Sequence, residues 1–171
     1  MPRELWLSNW HSVRTDIDPV AIAILGRIIR LNPAFEAHRA AALAALGLTP
    51  EVSDLIISLL RSGPPHALNS GALSPEATYP ISSSGAMTYR VDRAEALGLV
   101  ERRRDPQDRR GVLVGLTIKG LDLANRDVDA HMELTANFLA SFSAAERAAL
   151  SRLLQKLLAA LLEPNTRLTR Q

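Results

Sequence analysis

The stretch whose reading decides the fold is residues 98–120, GLVERRRDPQDRRGVLVGLTIKG. Leu99 to Arg104 and Gly111 to Thr117 read as two short strands. Between them lies Asp105-Pro106-Gln107-Asp108-Arg109-Arg110, a polar turn with a proline and no apolar residue. The spacing predicts a β-hairpin with a charged tip.

Outward from the hairpin, helical signals stand on both sides. Upstream, Ser82-Ser83-Ser84 caps a helix from about Gly85 to Leu97, with Met87, Val91 and Ala94 on its inner face; Gly98 closes it. Downstream, Thr117 caps a helix running to about Ala140. Ser143-Ala144-Ala145-Glu146 is a capping box for the last helix, which carries Leu150, Leu153, Leu154, Leu157, Leu158, Leu161 and Leu162 at the 3.6-residue period.

Further upstream, Asp18-Pro19 starts a helix whose apolar positions run through Ile24, Leu25, Ile28 and Phe35 to Leu46. Pro33 lies inside it and is expected to kink or break it. Thr49-Pro50-Glu51 starts another helix, with Val52, Leu55, Ile56 and Leu59 on one face, and Gly63-Pro64-Pro65 stops it. Residues 66–85 allow at most a short irregular helix, interrupted by Pro75 and Pro80. In residues 1–17, Leu5, Trp6 and Trp10 form one apolar stripe of a short helix.

Arginines gather around the hairpin. Residues 90–110 hold seven arginines (Arg90, Arg93, Arg102, Arg103, Arg104, Arg109 and Arg110) against five acids, so the whole formal excess of +2 falls there. Guanidinium forks suit phosphate, because they donate two parallel hydrogen bonds. Helix, turn, helix and then a basic hairpin is the order of a winged helix-turn-helix. Its second helix enters the major groove with its N-terminal residues toward the bases. Those residues are Ser83, Ser84, Ala86, Thr88, Tyr89 and Arg90, followed by Arg93; the wing tip adds Asp108, Arg109 and Arg110. The competing reading of such a tip is an ordinary solvated turn.

Three motifs, Gly-Leu-Val-Glu-Arg-Arg at 98–103, Asp-Pro-Gln-Asp-Arg-Arg at 105–110 and Leu-Thr-Ile-Lys-Gly at 116–120, resemble the wing of the MarR family of bacterial transcriptional regulators. Ser-Gly-Ala-Met-Thr-Tyr-Arg-Val-Asp-Arg at 84–93 resembles that family's recognition helix. The likeness runs from the first long helix to Leu162. It implies a homodimer joined through N- and C-terminal helices, a pseudo-palindromic operator in double-stranded DNA, and repression relieved by small, often anionic aromatic ligands. Pro64-Pro65-His66-Ala67-Leu68 fits the family, but the segment after it is longer and more interrupted than the pattern. Trp10, Asp54, Arg90 and Arg102 resemble the ligand-binding set of the urate-responsive subgroup, which implies an aromatic or purine-like anion as effector. Read without the resemblance, Trp10 covers a dimer core, Asp54 pairs with an arginine, and Arg102 serves the hairpin.

Composition removes other classes. The chain has 171 residues, 47% of them apolar, and no cysteine, which excludes disulfide scaffolds, cysteine-zinc sites and thiol chemistry. The longest apolar run, Ala40 to Leu46, is far short of the ~20 residues that span a bilayer. The N-terminus lacks the apolar core of a secretion signal, so a cytoplasmic protein is expected. His11, His38, His66 and His131 stand apart, without metal-ligand spacing, and Ser82-Ser83-Ser84 has no nearby base. No enzyme, metal or cofactor is expected. The reading is a mainly helical, single-domain winged helix-turn-helix. Residues 1–47 form the arm and first dimerisation helix, 48–117 the DNA-binding region, and 118–163 the C-terminal dimerisation helices. A helical ligand-binding or interaction protein with weakened DNA binding is the alternative, kept open by the odd segment at 66–82.

Overall fold

The computed structural model describes residues 14, 16, 18–69, 73, 84–106 and 111–162. Among them are five helices and three strands. These are α1 (Pro19–Ala45), α2 (Pro50–Arg61), β1 (Ala67–Asn69), α3 (Ser84–Ala96), β2 (Val100–Arg104), β3 (Val112–Leu116), α4 (Ile118–Leu139) and α5 (Ala144–Leu162). The chain divides into two compact units, Met1–His131 and Met132–Gln171. No single described helix is long and apolar enough to cross a membrane.

In the first unit, the Asp18 carboxylate accepts the Val20 amide at 2.8 Å and caps α1, with Pro19 in the first turn as expected. Of the kink or break expected at Pro33, the break does not occur; α1 continues through it. A proline removes one amide donor from the helix, and the turns on either side keep theirs. The core forms around α2, whose Leu55, Ile56 and Leu59 are fully buried together with Val52. Met87, Val91 and Ala94 of α3, Leu99 and Val100 at the start of β2, and Val114 and Leu116 of β3 complete it. Burying a side chain of this size stabilises the fold by about 1.5–3 kcal/mol.

The hairpin forms as the sequence predicts. β2 and β3 pair antiparallel, with Arg102 opposite Val114 and Arg104 opposite Val112, and Asp105 N–H donates to Gly111 O at 3.0 Å across the neck of the turn. A third strand was not foreseen. β1 pairs with the other edge of β3, Ala67 opposite Gly115. Three residues are too few to show alternation. The pairing is close, for a Cβ on Gly115 would stand 3.2 Å from that of Ala67. The short helix expected within 66–85 lies mainly outside the described residues.

One tight junction ties α3, β2 and α4 together. Gly98 adopts φ +70° and ends α3, a conformation open to glycine without strain. The Thr117 hydroxyl donates to Gly98 O at 2.8 Å and to Leu99 O at 3.2 Å, and it accepts the Gly120 amide at 3.0 Å, which caps α4. Gly120 lies so close to Leu99 that an added Cβ would meet the Leu99 carbonyl oxygen at 1.9 Å.

In the second unit, the capping box is formed. Ser143 N–H and its hydroxyl donate to Glu146 at 2.8 and 2.7 Å, and Glu146 N–H donates back to Ser143 Oγ at 3.3 Å. Arg147 reaches back to the carbonyls of Leu139 and Phe142 at 2.8 and 3.0 Å, satisfying acceptors left open where α4 ends. None of the α5 residues is buried, and Leu153, Leu154, Leu158, Leu161 and Leu162 are exposed.

Candidate functional site

The faces of α3 divide cleanly. Met87, Arg90, Val91 and Ala94 recur at i, i+3, i+4 and i+7 and turn inward. Thr88, Tyr89, Asp92 and Arg93 turn outward, and Tyr89 is 66% exposed. Arg90 was expected among the groups reaching base edges. It is buried instead, because its position in the helix is in phase with Met87 and Ala94. The side chains of Ser84 and Ala86, and all of Ser83, Asp108, Arg109 and Arg110, lie outside the described residues.

Arg102 straps the wing to this helix. Its guanidinium donates to Asp92 Oδ1 at 2.5 Å and to the Glu95 carboxylate, and its backbone amide adds a 3.3 Å bond to Glu95. The Asp92 bond and the Glu95 charge hold its pKa above the ordinary arginine value. Arg103 is matched by Glu101 on the same strand.

On the inner side, a cavity of about 380 Å³ opens among α1, α2 and α4. Phe35, Ile57, Val128 and His131 supply its less polar wall, with Phe35 and His131 edge-to-face at 6.1 Å and 86°. Its polar lining starts from Asp54, which accepts from Arg39 Nη2 at 2.5 Å. Arg39 also reaches Glu36 at 3.4 Å and Ser53 Oγ at 3.4 Å. The Ser53 hydroxyl turns to Asp127 Oδ2 at 2.6 Å. Burial pushes the Asp54 carboxyl above its usual range, and Arg39, with a weaker pull from Arg90, offsets this only in part. For Arg39 burial acts downward, but Asp54 and Glu36 outweigh it and the guanidinium is held up. The carboxylate is the deeper partner, 8% exposed against 16%, so desolvation weighs more on it.

Of the expected ligand set, the structure describes Asp54, Arg90 and Arg102, and no hydrogen bond or ion pair joins these three to one another. Asp54 lines the cavity, and Arg90 acts on it and on Glu51 through charge alone. Arg102 is engaged by Asp92 and Glu95, and Trp10 lies outside the described residues. Among the described residues, Arg90 Nε and Nη1 are buried without a hydrogen-bond partner. Arg39, Ser53 and Asp127 were missed in the sequence. A signal was there: Asp127 falls in phase with Gly120 and Ala124, the buried positions of α4, and Arg39 stands one turn from both Phe35 and Leu43. A charged residue in phase with a buried stripe is rare unless paired or functional. No group of three or more metal-ligating side chains occurs among the described residues.

Comparison with known proteins places this architecture. No protein-family model matches the chain. The HTH-type transcriptional regulator PecS of Dickeya dadantii is 27% identical over 148 residues, covering 86% of this chain and 87% of PecS. A mutant MarR from Escherichia coli complexed with operator DNA superposes with a TM-score of 0.62 at 30% identity, covering 81% of this chain and 96% of that one. The organohalide-sensing regulator RdhR in its 2,4-dichlorophenol-bound form superposes at 0.67 with 19% identity, over 84% of this chain and 81% of RdhR, a likeness of fold. PecS and MarR are transcriptional regulators, in line with the non-enzymatic reading of the sequence. With its basic hairpin, its two-faced α3 and this coverage, the chain belongs to the MarR family of winged-helix transcriptional regulators.

Proposed function

We propose that the protein is a homodimeric, cytoplasmic repressor that binds a pseudo-palindromic operator and leaves it when a small aromatic ligand binds. The division of α3 is the observation that carries this reading. Its inner face is anchored in the core, so the outer face with Thr88, Tyr89 and Arg93 is held on a rigid element. In the major groove, such side chains contact base edges and phosphates. Ser83, Ser84 and Ala86 extend the reading edge toward the start of the helix. Asp108 braces Arg109, which reaches the minor groove or the backbone beside Arg110. Arg90 serves the inside of the fold.

Exposed apolar side chains support the dimer. Val20, Ile24, Leu25, Ile29 and Leu31 on α1, and the leucines of α5, form apolar faces that a second copy covers. For the effector, the cavity is better support than the quartet, since Arg102 is already committed to two carboxylates. A void of this size suits one small ring system.

The test is a gel-shift titration with DNA from upstream of the protein's own gene and from its neighbours, at physiological salt. A discrete complex of two protomers on one of these fragments is expected. Equal binding to every fragment and to unrelated DNA would overturn the proposal.

A further inference from the structure

We infer that the cavity among α1, α2 and α4 takes a small aromatic cation, whose charged nitrogen pairs with Asp127. The inference deepens the effector reading above and rests on it for any effect on DNA; binding itself is observed separately. Three carboxylates, Glu36, Asp54 and Asp127, line the cavity against two guanidiniums, Arg39 and Arg61. Arg39 is engaged by Asp54 and Glu36, and Arg61 is exposed at the end of α2. That leaves Asp127 without a guanidinium, the remaining basic group of the lining being the His131 imidazole one helical turn away on α4. It is 5% exposed, and its hydrogen-bond partner is the Ser53 hydroxyl on Oδ2. Among the described residues no salt bridge reaches it.

A buried carboxylate without a counter-charge is costly, and pairing with good geometry repays the cost. A cation entering the cavity supplies that pairing at once. The rest of the lining fits a ring-sized body, with Phe35, Ile57 and Val128 as apolar walls and the His131 ring set edge-on to Phe35. An aryl amidine combines a flat ring with two parallel N–H donors, the shape that a carboxylate accepts in a fork. An anion, the charge expected from the Trp10, Asp54, Arg90 and Arg102 set, meets an excess of like charge in this cavity.

The experiment is calorimetric titration of the full-length protein with three ligands that share one ring: benzamidine, benzamide and benzoate. Benzamidine is expected to bind about tenfold more tightly than benzamide, equivalent to about 1.4 kcal/mol, with benzoate the weakest. In Asp127→Asn the preference for benzamidine over benzamide should vanish. Equal binding of benzamidine and benzamide, tightest binding of benzoate, or no binding of any at millimolar levels would each overturn the inference. So would a preference that survives in Asp127→Asn. If that variant does not fold, the wild-type series still decides the charge class, and Ile57→Phe, which fills the cavity from the α2 wall, decides the location by losing benzamidine binding or keeping it. Release of bound operator DNA is measured in parallel. Binding without release leaves the cation site standing and removes the effector role.

Discussion

Replacing Gly120 with alanine probes the junction that sets the wing against its reading helix. The new Cβ would stand 1.9 Å from the Leu99 carbonyl oxygen and 2.8 Å from its carbon. Ordinary contact at about 3.5 Å needs roughly 1.5 Å of separation, and the obstacle is backbone, which cannot swing aside like a side-chain tip. Overpacking of this kind costs about 1–3 kcal/mol. The Leu99 carbonyl also accepts the Thr117 amide at 3.0 Å and shares, at 3.2 Å, the Thr117 hydroxyl proton that lies nearer Gly98 O, so moving it strains one full hydrogen bond and part of another, together about 1–2 kcal/mol. The expected total is about 2–5 kcal/mol, a large share of a domain stability of about 5–15 kcal/mol. Urea unfolding followed by circular dichroism measures it as a fall in the midpoint at constant slope. DNA affinity of the folded fraction should fall as well, because α4, α3 and β2 meet at that carbonyl. A loss below about 1 kcal/mol would refute the claim that the approach is tight.

On α3, Arg93→Ala should weaken operator binding and reduce the salt slope by about 1, and Tyr89→Ala should cost about 1–3 kcal/mol and relax sequence preference, both read by fluorescence anisotropy with competitor duplexes. Arg102→Ala should lower stability by less than about 1 kcal/mol, since its ion pairs are partly exposed, and the loss should shrink at high salt in denaturant titrations. Burial holds the Asp54 pKa above 3.8, so the folded state binds that proton more tightly than the unfolded chain. The resulting stability is fully present below pH 3.8 and is lost as pH rises through the elevated folded value. Wild-type stability minus that of Asp54→Asn should therefore fall with rising pH over that window in denaturant unfolding; a difference that rises instead contradicts the sign.

The hairpin, the caps at Asp18, Thr117 and Ser143 and the inner face of α3 were legible because each is written locally. Thr117, Ser143 and Asp18 cap helices with side chains within three residues of their partners, and Met87, Val91 and Ala94 keep helical period. Three features were not. β1 is three residues long and exists through its pairing with β3, a contact across more than forty residues of sequence. The helix through Pro33 depends on turns either side that outlast one missing donor. Arg90 looked like a reading residue because arginine at that point matches a motif, yet its phase with Met87 and Ala94 already assigned it inward. The cavity was the least legible part. Arg39, Ser53, Asp54 and Asp127 come from three helices, and the Ser53–Asp127 bond joins positions 74 residues apart. The Arg39–Asp54 contact agrees with the plain ion-pair reading of Asp54.

The central claim, that this protein reads operator DNA through α3 and its wing, is tested most directly by anisotropy titration of a labelled upstream duplex from about 50 to 200 mM salt. The account predicts tight binding that falls linearly on a log–log plot with a slope of several counterions, and competition by the same duplex far exceeding that by an unrelated one. Binding indifferent to salt, or competed equally by any DNA, would contradict it.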